Sequence, residues 1–248
     1  MSKRKDMSNP LPAFEYHPPT DPWLSVVYED DDIIVIDKPS GLLSVPGREP
    51  EHHDSAYLRV VSQHPLAQIV HRLDMATSGI VLFAKHKQAE RHLKAQFRDR
   101  IPQKRYIARV WGHLKQDAGE IDLPLICDWP NRPKQKVCFE QGKPSQTGFE
   151  VLARETREDG MTTSVVDLKP ITGRSHQLRV HMMSLGHEII GDGFYARPMA
   201  QAMTQRLELH ALELTLKHPR TNQWCHFFAP CDFYPEVSAK LHTELPQD

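Results

Sequence analysis

Apolar positions along the chain keep two different periods, and the changes between them lay out the elements. Trp23 to Tyr28 and Ile33 to Ile36 read as strands separated by the acidic turn Glu29 to Asp32. A Pro39–Gly41 turn and an extended run from Leu42 to Val45 follow. Ile80 to Ala84 is a short apolar, partly β-branched run closed by Lys85, the pattern of a buried strand. Residues 86 to 100 change to a helical period, with Ala89, Leu93 and Phe97 on one stripe and Lys87, Arg91, Lys94 and Arg98 opposite. Residues 104 to 112 alternate again, with Tyr106, Ala108 and Val110 on one face. Gly148 to Ala153, Thr163 to Leu168, Leu207 to Lys217 and Gln223 to Ala229 predict further strands. A last helix is predicted from an entry at Thr172-Gly173 to a stop at Gly186, with Leu178, Met182 and Leu185 as its apolar stripe. Strands dominate and no βαβ rhythm or repeat is present, so the class expected is α+β.

The 248 residues, 39% of them hydrophobic, suffice for a sizeable core. One continuous body over 23–234 is expected, between a proline-rich extended or disordered arm (1–22) and a short tail (235–248). No run reaches the 18 or so apolar residues of a membrane span, and the N-terminus has no apolar leader core; a cytoplasmic protein is expected. Cys127, Cys138, Cys225 and Cys231 are too far apart for a CxxC pair and too few for a disulfide scaffold, so they read as reduced thiols. His52-His53 reads as exposed loop, and no metal site is expected.

A formal net charge of -1 hides an uneven distribution. Lys85, Lys87, Arg91, Lys94, Arg98, Arg100, Lys104, Arg105, Arg109 and Lys115 are opposed in their window only by Glu90 and Asp99, whereas the first 54 residues are predominantly acidic. The helix carrying part of this excess is either a phosphate-binding face or an ordinary solvated surface. From Trp129 to Lys136, cations (Arg132, Lys134, Lys136), an aromatic and prolines mix in what reads as a surface loop able to grip a nucleic-acid backbone.

The candidate chemistry sits in His71 to Lys85, HRLDMATSGIVLFAK. Asp74 precedes a turn that runs into the buried strand, so it is held rigidly at the mouth of a core element; it either caps that turn or serves as a nucleophile or general base. Arg174, on the core-facing stripe of the predicted helix, needs a carboxylate partner, with Asp74 the leading candidate, or else reaches solvent at the helix end.

HRLDMATSGIVLFAK, DKPSGLLSVPGR, KRYIARVWG, LKPITGRSHQLRVHMMSLGH with IIGDGFYA, and LHALEL together resemble the ordered motif set of the RluA family of pseudouridine synthases over roughly residues 22 to 233. The resemblance implies a pseudouridine synthase fold, a long mixed and mostly antiparallel sheet with flanking helices and a central cleft. It implies an isomerase that turns uridine in RNA into pseudouridine without cofactor or metal. By the same resemblance Asp74 is the essential carboxylate, which a paired Arg174 would help keep ionised, and Tyr106 stacks on the uracil and transfers a proton at the sugar. Leu178 walls the pocket, and Arg72 fills the gap left by a flipped base. No N-terminal RNA-binding domain is expected, so RNA would be gripped by the body itself, through Lys87, Arg91, Lys94 and Arg98 and through Arg132, Lys134 and Lys136. The implied partners are stem-loops of 23S ribosomal RNA and a tRNA anticodon arm, with no DNA or membrane, acted on by a monomer. A glycoside hydrolase would need a second carboxylate, and a non-catalytic RNA-binding module would have no use for an Asp74–Arg174 pair.

Overall fold

The computed structural model describes residues 15–236. In chain order its strands and helices are β1 (Ser25–Glu29), β2 (Ile33–Lys38), α1 (Ala56–Gln63), β3 (Gln68–Ile69), β4 (Ser78–Ala84), α2 (Lys87–Arg98), β5 (Gln103–Trp111), β6 (Ala118–Asp122), β7 (Leu125–Cys127), β8 (Gln135–Val137), β9 (Gln146–Thr156), β10 (Thr162–Pro170), α3 (Gln177–Ser184), α4 (Pro198–Ala202), β11 (Leu209–Lys217) and β12 (Trp224–Phe228). Ten strands form one sheet in the order β1-β2-β4-β11-β5-β10-β9-β6, with β12 on β11 and β3 on β4; β7 and β8 make a separate hairpin. The β11–β4 pairing is parallel and the other named pairs are antiparallel, so the expected mixed, mostly antiparallel α+β sheet is what forms.

β4 shows why this sheet holds together. Ile80 to Ala84 are at most 2% exposed, because β2 and β11 flank the strand while side chains cover both faces. Alternate residues go to different clusters, Ile80 and Leu82 packing with Ala89 and Leu93 of α2, and Val81 and Phe83 with Ala56 and Val60 of α1. Each large side chain removed from water in this way contributes roughly 1.5–3 kcal/mol. Glycine is required at the first step of the parallel pair. Gly79 has φ +107°, and a Cβ there would lie 2.2 Å from the Ala211 carbonyl oxygen.

The periods placed the long elements and missed the short ones. α1 is eight residues long with Ala56, Tyr57, Val60 and Val61 turned to the core, and its fully buried polar residue is Arg59. That guanidinium takes Asp54 at 2.8 and 2.6 Å and donates to the carbonyls of Trp23 at 2.9 Å and Pro19 at 2.7 Å. The described part of the N-terminal arm is therefore extended but anchored, with Tyr16 also donating to the Asp54 carbonyl at 2.8 Å. Residues 1–14 and 237–248, the rest of the arm and most of the tail, lie outside the described residues.

Candidate active site

Asp74 lies between β3 and β4 in a loop fastened from outside. Ser44 Oγ donates to the Leu73 carbonyl at 2.6 Å and accepts from its N–H at 3.0 Å; Ser40 Oγ donates to the Ala76 carbonyl at 2.7 Å. Gly41 N–H donates to the Met75 carbonyl at 2.9 Å. The fully buried Lys38 completes the clamp, donating through Nζ to the carbonyls of Pro39 at 2.9 Å, Leu42 at 2.8 Å and Met75 at 3.1 Å. Burial pulls the Lys38 pKa down, with the Asp74 and Asp37 charges opposing. Three carbonyl acceptors match the three N–H groups of the ammonium form. The turn after β2 thus holds the backbone on both sides of Asp74.

One donor, Arg179, contacts a single oxygen of Asp74, with His176 standing farther off on the same side. Arg179 Nη1 lies 3.4 Å and His176 Nε2 3.8 Å from Oδ2, leaving Oδ1 without a hydrogen-bond partner among the described residues. Arg179 is itself fixed by a fork on the buried Asp192, at 2.8 Å from Nε and 2.6 Å from Nη2. Asp192 Oδ1 also accepts the backbone N–H of Phe194 at 2.8 Å, and the Phe194 and Tyr195 rings each sit 5.1 Å from the guanidinium. Burial alone would lower the Arg179 pKa; the Asp192 hydrogen bonds and the Asp192 and Asp74 charges more than reverse this. A carboxylate with one oxygen held and the other free is equipped to act as nucleophile or base.

The cleft around that oxygen is lined by Arg72, Leu73, Lys104, Tyr106, Thr172, Gly173, Arg174, His176, Leu178 and Leu209 among others, and Asp74 is the single carboxylate among its described lining residues. Tyr106 reaches it from the middle of β5, and burial first, then the Asp74 charge, push its phenol pKa up, so the O–H remains protonated. Leu178 is 6% exposed and belongs to the cluster under the cleft. Arg72 is exposed, with no hydrogen bond or ion pair among the described residues.

One expectation is corrected. Arg174 is not the partner of Asp74; its Nε donates to the Pro144 carbonyl at 3.2 Å. The helix starts later than the apolar pattern suggested, because His176 takes a left-handed conformation with φ 53° and α3 begins only at Gln177. The core-facing arginine is then Arg179, two residues past the helix start. Arg174 lines the cleft mouth instead.

The two proposed RNA grips fare differently. On α2, Lys87 and Lys94 both close on Glu90 at 2.5 Å and Arg98 pairs with Asp99 at 2.8 Å; only Arg91 is without an ion pair among the described residues. None of these four lines the cleft. The Trp129 to Lys136 stretch is a surface loop as expected, the connection at the tip of the β7–β8 hairpin running into β8, and in it Trp129 is 66% exposed and the Arg132 guanidinium stacks on it 4.6 Å from the ring centroid. Lys136 pairs with Asp128 at 3.1 Å, and Gln135 N–H donates to the Tyr195 hydroxyl at 2.7 Å, which in turn lies 2.6 Å from Nδ1 of the cleft-lining His176. Away from the cleft, Asp30, Asp32 and His218 offer ligand atoms within 4.8 Å of one another. Arg220 Nε at 2.7 Å and His86 at 2.9 Å already occupy Asp32, and Tyr28 at 2.9 Å and backbone N–H groups occupy Asp30, so the group is an internal charge staple.

The family described as RNA pseudouridylate synthase matches residues 32–184, which include the Asp74 loop, Tyr106 and Arg179. The chain belongs to that family. It is an RNA pseudouridine synthase, an isomerase of uridine in RNA. It is 62% identical over 231 residues to the dual-specificity RNA pseudouridine synthase RluA of Vibrio parahaemolyticus, covering 93% of this chain and 92% of that one. It is also 60% identical over 218 residues to the protein of the same description from Escherichia coli K12, covering 88% and 98%. Among solved structures, human RNA pseudouridylate synthase domain containing 1 superposes with a TM-score of 0.71 at 28% identity, over 92% of this chain and 89% of that one. Among the described residues no helix is long and apolar enough to cross a membrane.

Proposed function

We propose that this pseudouridine synthase acts, as a monomer in the cytoplasm, on uridines in stem-loops of both 23S ribosomal RNA and a tRNA anticodon arm, with Asp74 as the essential carboxylate. The observation that carries the Asp74 assignment is the one-sided grip of Arg179 on Oδ2, at 3.4 Å, which leaves Oδ1 open to the cleft. Tyr106 supplies a flat, protonated ring beside it for stacking on the uracil and for hydrogen bonding. Lys104 and Arg174 in the cleft supply charge for the flanking phosphates, Arg72 a planar head for the gap left by the flipped base, and Trp129 with Arg132 a stacking surface at the hairpin tip. Two substrates are supported by the dual-specificity description of both curated relatives.

The test is pseudouridine mapping, by chemical adduct and reverse-transcription stop, on ribosomal and transfer RNA from cells carrying the wild type, no enzyme, or Asp74→Asn. The amide is nearly isosteric and cannot act as nucleophile or base, so both sets of stops are expected to vanish while RNA binding stays within about tenfold. Stops persisting in one RNA class without the enzyme would remove that class from its substrates. Full modification by Asp74→Asn would remove Asp74 from the reaction.

A further inference from the structure

The hydroxyl of Tyr195 stands between two parts of the molecule with different tasks. On one side it accepts the backbone N–H of Gln135, at 2.7 Å, from the first residue of β8. On the other it lies 2.6 Å from Nδ1 of His176, whose Nε2 is 3.8 Å from Asp74 Oδ2. A backbone N–H can only donate, so the phenol oxygen is an acceptor toward Gln135; assigning its own proton to Nδ1 satisfies both neighbours with the imidazole neutral, and we take that tautomer. Nδ1 is then the acceptor of a neutral imidazole, and the ring's single N–H sits on Nε2, facing the carboxylate. The groups around this ring agree. Burial lowers the His176 pKa, the Asp74 charge opposes this, the Arg179 charge adds to it, and Asp192 opposes again. His176 holds its place in a left-handed backbone conformation, φ 53°, that a non-glycine residue adopts only when its surroundings compel it.

We infer that His176 and Tyr195 are positioning residues that couple the β7–β8 hairpin to the Asp74 carboxylate, so that engagement of the hairpin by a structured RNA helps set the orientation of Asp74. The hairpin end of the chain is suited to this. Trp129 and Arg132 present a stacked aromatic and cation at the tip, and Lys134 adjoins Gln135 in sequence, so a nucleic acid gripping the tip pulls on the same backbone that donates to Tyr195. At the other end, His176 Nε2 stands 3.8 Å from Oδ2, beyond hydrogen-bonding distance, on the same oxygen that Arg179 contacts at 3.4 Å, so the ring packs the carboxylate on its Oδ2 side and leaves Oδ1 to the cleft. A purely structural tie would need neither the ordered donor directions nor the approach to Asp74. The inference rests on Asp74 being the reacting carboxylate.

The test uses Tyr195→Phe, which removes one hydroxyl and keeps the ring against Arg179, in the full-length enzyme with an RNA stem-loop and with a short unstructured strand of the same target sequence. The coupling predicts a fall in kcat of about tenfold on the stem-loop with KM within twofold, and a melting temperature near wild type. It also predicts that Trp129→Ala, which lowers kcat in the wild type, lowers it no further in the Tyr195→Phe background. His176→Phe should match Tyr195→Phe in kcat. An unchanged kcat in Tyr195→Phe, or full additivity with Trp129→Ala, would overturn the coupling. A loss of kcat accompanied by a large drop in melting temperature, and equal on both substrates, would reduce it to a structural tie and overturn it as well. Asp74→Asn assayed in parallel separates this failure from that of the underlying reading: an active Asp74→Asn enzyme would condemn the role of Asp74, whereas an inactive one beside a fully active Tyr195→Phe would condemn the coupling alone.

Discussion

Arg179 touches Asp74 with one nitrogen, Nη1 at 3.4 Å, and grips Asp192 with Nε and Nη2 at 2.8 and 2.6 Å. The shorter, two-pronged pair is the structural one, and the longer contact reaches the carboxylate proposed to react. Removing the arginine leaves Asp192 buried without its counter-charge, which costs about 3–5 kcal/mol. Arg179→Ala is therefore expected to lose both thermal stability and turnover. Arg179→Lys should recover part of the stability and little of the turnover, since a single ammonium cannot serve both carboxylates. Arg174→Ala should stay within about 0.5 kcal/mol of wild type in chemical denaturation. A melting temperature lowered more by Arg174→Ala than by Arg179→Ala would reverse the assignment.

Arg72 is exposed and unpaired among the described residues, so its side chain contributes little to the fold. A base leaving a stacked RNA loop costs roughly a few kcal/mol, and a planar guanidinium two residues from Asp74 is placed to occupy the gap. Arg72→Ala is expected to slow turnover on a stem-loop far more than on an unstructured strand, with an unchanged melting temperature. Equal losses on the two substrates would rule out the wedge.

Lys104 is half-buried in the cleft, and no ion pair or hydrogen bond holds it among the described residues. Burial and then the nearby Arg100 charge hold its pKa below the ordinary lysine value. A cation left without an anion inside a cleft that receives RNA should be matched by a phosphate, and each such contact contributes about one unit to the salt dependence of binding. Lys104→Gln is expected to weaken RNA binding and lower that slope by about one unit. Lys94→Gln, whose lysine already has Glu90 at 2.5 Å, should leave the slope unchanged. An equal change from both would place RNA on the α2 face too.

His71 accepts the Leu82 N–H through Nε2 at 2.9 Å and stacks on Phe97 with ring centroids 4.8 Å apart. Burial, with the Lys104 charge adding, pushes its pKa from 6.5 down to about 3. Because the folded state binds this proton less readily than the unfolded chain, the stability His71 confers is complete above about pH 6.5 and is lost as pH falls toward about 3. The difference in unfolding free energy between wild type and His71→Gln is expected to be a few kcal/mol at neutral pH and to shrink steadily in acid. A gap constant from pH 7 to 4 would show that the imidazole is not held neutral.

The sheet was readable because β4, β5, β10 and β11 are long enough for their alternation to be counted. The local pattern put Asp74 before a turn into a buried run, a place that suits a turn cap as well as a catalytic group, and only the ordered motif set singled it out as the essential carboxylate. The partner of Asp74 was not readable. A 3.6-residue stripe runs through Arg174 and Leu178 as smoothly as through Arg179 and Met182, and only the left-handed step at His176 decides between them; nothing in the pattern forbade helix there. Asp192 and Tyr195 lay inside a quoted motif, IIGDGFYA, but their roles depend on Arg179 and on a hairpin whose three-residue strands are too short to show a period. α1 escaped for a similar reason, since its inward face is shared between Val60 and an arginine neutralised by Asp54.

The fastening of the Asp74 loop also bears on how the enzyme comes to life as it folds. Ser44 and Lys38 reach Leu73 and Met75 across 29 and 37 residues of chain, whereas the loop's own local tie is a turn bond from Thr77 N–H to the Asp74 carbonyl at 3.2 Å, so its shape depends chiefly on distant chain. Closing segments of that length carries an entropic cost that is recovered only when β2 and β4 register and the turn between β2 and α1 settles over the loop. Catalytic competence should therefore emerge with that docking rather than with collapse of the sheet, and during refolding the return of turnover would time the arrival of residues 38–44.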